Sequence, residues 1–283
     1  MTNPNQLISI IIPVFNESES IGYLLDEVLN VMCSNKLNFE IVVVNDGSQD
    51  STSNVLDELT IKIKELSVIS LRTNYGQTAA MAAGFDNSNG EVVITLDGDL
   101  QNDPTDIPKL ISHINEGYDL ICGWRYDRKD KLINRRIPSK IANKLIANVT
   151  GLKLHDYGCS LKAFKKDILD DIKLYGELHR FLPVLAKIEG AKIKEIKVNH
   201  RSRKYGSSKY GIDRTFRVLM DLLTVWFMTK FLTRPMYGFG FVGIISILVS
   251  LGMTSYLFII KLLGNDIGNR PMLMFALILG IAG

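Results

Sequence analysis

The chain has 283 residues, enough for one large α/β domain and a smaller second part. Its 33 Lys and Arg against 30 Asp and Glu leave a formal charge of +3, a balance that gives no ground for a nucleic-acid partner. Its three cysteines, Cys33, Cys122 and Cys159, form no C-x-x-C pair, which argues against structural zinc and a disulfide scaffold and for a reducing compartment.

From the N-terminus, Leu7–Val14 is apolar but too short for a signal peptide and lacks a basic flank, so the first domain is expected not to be secreted. Leu7–Val14, Phe39–Val44, Val68–Leu71, Glu91–Leu96 and Asp119–Gly123 are short runs rich in Ile, Val and Leu, which suit strands buried on both faces of a mainly parallel sheet. Between them lie amphipathic stretches of helical length, Ser20–Met32, Thr52–Glu65, Gln77–Asn87 and Thr105–Asn115, with Ser18, Asp50–Ser51 and Asp103 as capping residues. The βαβαβ order predicts an open, doubly wound sheet, and such sheets bind ligands outside the carboxyl ends of their strands.

Beyond about Tyr205 the character changes. Nine Lys and Arg against Glu195 and Asp213 crowd the stretch from Lys192 to Arg217. Ile212–Thr233 then reads as an amphipathic helical region, in which Trp226 suits a membrane interface. Met236–Ile260 gives 25 residues without a charge, long enough to cross a bilayer with some tilt. After the polar link Lys261–Arg270, a second apolar run from Pro271 reaches Gly283 after 13 residues, too short to span, so the expected hairpin has its second helix cut short. Basic excess before the first span orients the preceding domain toward the cytoplasm.

Three polar clusters follow strand candidates. Asp97-Gly98-Asp99 sets two carboxylates one residue apart, able to hold a hard divalent cation with water and phosphate oxygens, although the same tripeptide also makes an ordinary turn. In Pro13-Val14-Phe15-Asn16-Glu17, Pro13 is expected to end sheet pairing, Phe15 offers a stacking face for a base and Glu17 an acceptor. In Val44-Asn45-Asp46-Gly47-Ser48, Asp46 is placed to accept from a base N–H. His113 and His179 lie in helical patterns and read as surface or packing residues.

Pro-Val-Phe-Asn-Glu, Asn-Asp-Gly-Ser, Asp-Gly-Asp-Leu-Gln and the late Arg203-Lys204-Tyr205-Gly206-Ser207-Ser208-Lys209 together resemble the family 2 inverting glycosyltransferases, in the branch of dolichyl-phosphate mannose synthase and the bactoprenol glucosyltransferases. The resemblance covers roughly residues 7–210 and continues into the membrane helices. It implies a GT-A (Rossmann-like) catalytic domain over residues 1–205, interfacial helices over 206–234 and transmembrane helices over 235–283. On the matching positions it implies that Pro13, Phe15, Glu17, Val44 and Asp46 hold the nucleoside. Asp97 and Asp99 would bind Mg²⁺ or Mn²⁺, with Gln101 beside metal and diphosphate. Arg125, Arg135 and Ser139 would hold an acceptor phosphate, and Arg203 and Lys209 the donor diphosphate. Arg135 and Ser139 are four apart on a predicted helix and so share a face. Asn45 stands where many relatives carry a second Asp.

Asp156 occupies the region where members acting on sugar hydroxyls place a base. An acceptor phosphate has a second pKa near 6 and is already ionised at neutral pH, so Asp156 is expected to position the phosphate or a neighbouring arginine. The implied reaction moves a hexose, expected to be glucose from UDP-glucose on account of the bacterial-type hairpin, onto a polyprenyl phosphate such as undecaprenyl phosphate. The implied location is a bacterial inner membrane, and the apolar faces before the first span leave room for a homo-oligomer. Two rivals stand beside this reading. One is a same-fold enzyme with a carbohydrate acceptor, although no Q-x-x-R-W motif is present; the other is an inactive nucleotide-binding membrane scaffold.

Overall fold

The computed structural model describes residues 6–127, 143, 146–148, 150–204, 213–231, 235–268 and 270–283. The chain divides into two compact units, Met1–Val225 and Trp226–Gly283.

In the first unit, β1 (Leu7–Val14), β2 (Asn38–Asn45), β3 (Leu66–Ser70), β4 (Val92–Thr95), β5 (Leu120–Arg125), β6 (Lys162–Lys165) and β7 (Ile193–Val198) form one sheet in the order β3-β2-β1-β4-β6-β5-β7. Every pairing is parallel except those of β6, which runs antiparallel to β4 and β5. Helices α1 (Ile21–Ser34), α2 (Thr52–Lys62), α3 (Gln77–Asp86), α4 (Ile107–Asn115), α5 (Lys166–Asp170) and α6 (Leu182–Ile188) accompany the strands. The first strand shows why its sequence is apolar almost throughout. Ile8, Ile10 and Ile12 enter one core cluster with α1 and α4, whereas Ile11 enters another with Ala80, Met81 and Phe85 of α3. Side chains alternate across a strand, so a sheet covered on both faces needs apolar residues at both phases. Each fully buried Ile adds about 2 kcal/mol of transfer free energy.

Pro13 does not end sheet pairing. Pairing with β4 stops at Ile11, but pairing with β2 runs on through Pro13↔Val44 and Val14↔Asn45. Strands β6 and β7 escape a reading based on apolar runs: Lys162–Lys165 carries Lys at both ends, and Ile193–Val198, an edge strand, is half charged. Since β6 is antiparallel, the segment entering it lies at the same sheet edge as the ends of β1, β2, β4 and β5. The residues leaving β7 return to that edge too, where Arg201 N donates to Gln101 O (2.9 Å) and His200 bridges Asn102. These crossings bring distant segments of chain to one place.

Helix α7 (Asp213–Phe231) runs from the first unit into the second. In the second unit α8 (Pro235–Leu262) precedes α9 (Pro271–Ala282), and the two pack through small residues. Ser250 Oγ donates to Ala276 O (2.7 Å), and a Cβ on Gly280 would stand 2.8 Å from Ser250 Oγ. Met236–Leu262 is long and apolar enough to cross a membrane, with mean hydropathy 2.1 and Phe239, Phe241 and Leu248 exposed; α9, with 12 residues, is shorter than a span.

Candidate active site

The loops after β1 and β2 are tied to each other by side chains. Asn16, at φ +53°, donates its N–H to Ser48 Oγ (2.9 Å), and its own Oδ1 accepts from Gln49 N (2.7 Å). Glu17 N donates to Thr52 Oγ1 (2.9 Å), and the Glu17 carboxylate accepts from Ser20 Oγ (2.9 Å). Ser48 N donates to Asn45 Oδ1 (3.0 Å). Phe15 and Glu17 are half-buried on this rim, as is Pro13 beneath it. Val44 is different: its side chain is fully buried in the cluster under α3, so what it lends the rim is backbone position and not a side-chain surface.

Asp46 is also buried, and its two carboxylate oxygens accept from Tyr75 N (2.8 Å) and Gly76 N (2.9 Å). Burial raises its pKa, and the two backbone N–H groups offset only part of that rise. Asp46 therefore anchors the loop that leads into α3. Gly47 makes the anchoring possible: at φ +67°, any Cβ there would lie 2.4 Å from Thr73 C and 2.7 Å from Asn74 N.

The anchored loop delivers Gln77, whose Nε2 donates to Asp97 Oδ1 (2.8 Å). Across Gly98, Asp99 is buried, with Oδ1 accepting from Gln101 N (3.1 Å) and Oδ2 from Arg203 Nη2 (2.5 Å). Gly98 has no room for a side chain, since a Cβ would meet Val14 Cγ1 at 2.8 Å. Leu100, at φ +62°, turns the chain sharply and buries its side chain in the core, a strained conformation of the kind that collects at functional sites. Burial, and then the charge of Asp99, push the Asp97 pKa up to about 6, while Ser160, Arg125 and Lys162 pull it partly back. Two crowded carboxylates fit a divalent cation. Among the described residues no three His, Cys, Asp or Glu side chains gather to hold one, so further ligands must come from water or a bound phosphate.

On another side of the same edge, Arg125 leaves β5 and meets Asp156, from the segment entering β6. The pair is bidentate, Nε to Oδ2 at 2.6 Å and Nη2 to Oδ1 at 2.9 Å, and the side chains are only 15% and 5% exposed. Burial lowers the guanidinium pKa, but the hydrogen bonds and charge of Asp156 more than reverse this, and the net shift is upward. Asp156 is itself held from behind: Glu195 Oε1 accepts from both Asp156 N (3.0 Å) and His155 N (2.8 Å). Arg135, Ser139 and Lys209 lie outside the described residues.

Several residues at this edge carried no readable signal. Gln77 looks like any polar residue opening a helix. Lys162, 4% exposed, is opposite Thr95 in the pairing of β6 with β4, and its ammonium donates to Cys159 O. His179, read from the sequence as surface or packing, is buried and hydrogen-bonded to Thr78 Oγ1 (2.7 Å). His113 of α4 pairs with Glu116, just past the helix (2.7 Å), away from the carboxyl ends of the strands.

The profile of glycosyl transferase family 2 matches residues 9–173. In sequence the chain is 45% identical over 282 residues to the dodecaprenyl-phosphate galacturonate synthase of Rhizobium johnstonii, covering 96% of this chain and 82% of that one. It is 39% identical over 243 residues to an undecaprenyl-phosphate 4-deoxy-4-formamido-L-arabinose transferase of Pseudomonas fluorescens, covering 85% and 71%. In fold it is similar to the glucosyl-3-phosphoglycerate synthase of Mycobacterium tuberculosis solved with Mn²⁺, UDP and phosphoglyceric acid, with a TM-score of 0.62 at 16% identity over 80% of this chain and 78% of that one. That likeness concerns the fold alone.

Proposed function

The chain belongs to glycosyl transferase family 2, and from that membership we propose that it transfers a sugar from a nucleotide-sugar to a polyprenyl phosphate at the cytoplasmic face of a membrane. The observation that carries the reading is the convergence at one sheet edge of the Asp97/Asp99 pair with Arg203 upon it and, beside it, of Arg125 gripped by Asp156. Named relatives transfer galacturonate and 4-deoxy-4-formamido-L-arabinose, so a modified sugar of the uronate or aminopentose kind replaces glucose as the proposed donor.

In this reading Phe15 and Glu17 receive the nucleoside, with Pro13 and Val44 supporting the rim and Asp46 anchoring the loop beside it. Asp97 and Asp99, with Gln101 alongside, hold Mg²⁺ or Mn²⁺, which when bound neutralises charge on the leaving diphosphate. Arg203 and Lys209 add cationic stabilisation of that leaving group. Arg125, Arg135 and Ser139 fix the acceptor phosphate. One phosphate oxygen attacks the anomeric carbon as the bond from that carbon to the diphosphate oxygen breaks, its electron pair leaving with the nucleoside diphosphate and the configuration inverting. Asp156 takes no proton in this scheme; it sets the plane of Arg125, because the phosphate oxygen is already anionic. Helix α8 crosses the bilayer and α7 lies at its surface, keeping the site within reach of a phosphate anchored in lipid.

The test is transfer of radiolabelled sugar from UDP-galacturonate, UDP-4-deoxy-4-formamido-L-arabinose and UDP-glucose to undecaprenyl phosphate with Mg²⁺ or Mn²⁺, comparing wild type with Asp99→Ala. A metal-dependent glycolipid absent in the variant supports the reading. Labelled product only on an added carbohydrate acceptor, or none from any donor with lipid and detergent controls sound, overturns it.

A further inference from the structure

Lys162 has a burden that the scheme above does not relieve. Its side chain is 4% exposed, its ammonium donates to the carbonyl of Cys159, and it forms no ion pair with a carboxylate among the described residues. Its charge reaches Asp97, which the scheme above commits to the metal, and a buried ammonium with most of its hydrogen-bonding capacity unused then has capacity for a further anion. Its position is informative: it starts β6, opposite Thr95, two residues before Asp97.

A second cation stands in the same neighbourhood on a rigid bracket. Arg180 Nε donates to His179 Nε2 (3.4 Å), which requires His179 to carry its proton on Nδ1 and donate it to Thr78 Oγ1 (2.7 Å). Thr78 follows Gln77, the residue on Asp97, in the first turn of α3. Burial first, then the charges of Arg180 and Lys162, lower the His179 pKa to about 3, so the imidazole stays neutral and the bracket keeps one tautomer.

We propose that Lys162, assisted by Arg180, which the Thr78–His179 bracket holds at the α3 turn, is the specificity-determining cation that receives a carboxylate on the donor sugar. This rests on the glycosyltransferase reading and narrows its donor to a hexuronate. Arg203 already stands on Asp99 for the diphosphate, whereas Lys162 approaches the Asp97 end of the pair from a different strand.

The experiment compares binding of UDP-galacturonate and UDP-galactose, which differ only in carboxylate against alcohol at C6, to the full-length protein in detergent with Mg²⁺ by calorimetry. Wild type is expected to favour the uronate by roughly 10- to 100-fold, the usual size of one buried charge-assisted hydrogen bond. K162M should bring the affinities for the two donors together by weakening the uronate alone to the level of UDP-galactose or below, and K162R should restore most of the difference. Methionine preserves the stem, and a melting curve confirms the fold. Arg180→Gln should reduce the preference in part, and His179→Asn should do the same through Arg180. Equal wild-type affinities for the two donors overturn the proposal. So does K162M weakening both donors and UDP alike, which would assign the ammonium to the diphosphate or to the fold. Turnover on undecaprenyl phosphate is read separately: a protein that glycosylates the lipid without a uronate preference refutes this inference and leaves the reaction class standing.

Discussion

Replacing Asp156 separates a positioning carboxylate from a catalytic base. The Arg125–Asp156 pair is bidentate and buried, with side-chain exposures of 15% and 5%. Removing one partner of such a pair leaves an uncompensated charge and costs about 3–5 kcal/mol. Asp156→Asn retains one oxygen that can accept from the guanidinium, so the lower figure applies. For a unit running from Met1 to Val225, about 3 kcal/mol corresponds to a fall in Tm of roughly 6–12 °C. The double replacement R125M/D156L removes both charges and should recover at least half of the loss, because it leaves no orphan. Thermal unfolding of the full chain in detergent reads both effects, and titration with undecaprenyl phosphate reads the loss of acceptor affinity expected when Arg125 is no longer held. An Asp156→Asn protein that melts like wild type and binds both substrates but has no turnover would refute this reasoning and make Asp156 a base.

Asp97, its pKa pushed up to about 6 by burial and then by the Asp99 charge, is easier to protonate folded than unfolded. The stability this gives is fully present below its ordinary range and is lost as pH rises through about 6. Asp97→Asn should therefore raise Tm more near pH 8 than near pH 5, and a constant difference would contradict it. For the same reason Mn²⁺ binding by wild type should weaken as pH falls through about 6, since a protonated carboxyl is a poor ligand; calorimetry at limiting metal reads this. Arg203→Ala should tighten Mn²⁺ binding without nucleotide, by freeing Asp99 Oδ2 of a competing cation, yet weaken UDP binding about tenfold with Mn²⁺ present. If both affinities move together, Arg203 serves the fold. Gly47→Ala, with its Cβ 2.4 Å from Thr73 C at φ +67°, should cost about 2–4 kcal/mol. A fall in Tm smaller than about 2 °C would show that the Thr73–Gly76 loop can yield.

The five strands read from apolar runs are present as β1 to β5; apart from β3, which is mostly half-buried or exposed, their side chains are largely buried on both faces, and composition records burial directly. Asp97 and Asp99 were legible for a related reason: they follow a buried run at once, so local sequence places them at a strand end. Beyond about 200 residues the long uncharged run of α8 was equally plain, since length and hydropathy are local properties.

What depends on distant segments meeting was not legible. Strand β6 is four residues long and flanked by lysines; only its neighbours β4 and β5 make it a strand, and only its antiparallel direction returns Asp156 to the edge where Arg125 ends β5. Asp46 offered the sequence a free acceptor, but folding turned it to Tyr75 and Gly76, 29 and 30 residues away. Thr78 and His179 meet across 101 residues. Hydrophobic periodicity reports how each residue stands to its own sheet face or helix axis. Which polar side chain satisfies which is settled by the crossovers of the chain, and no local pattern encodes those.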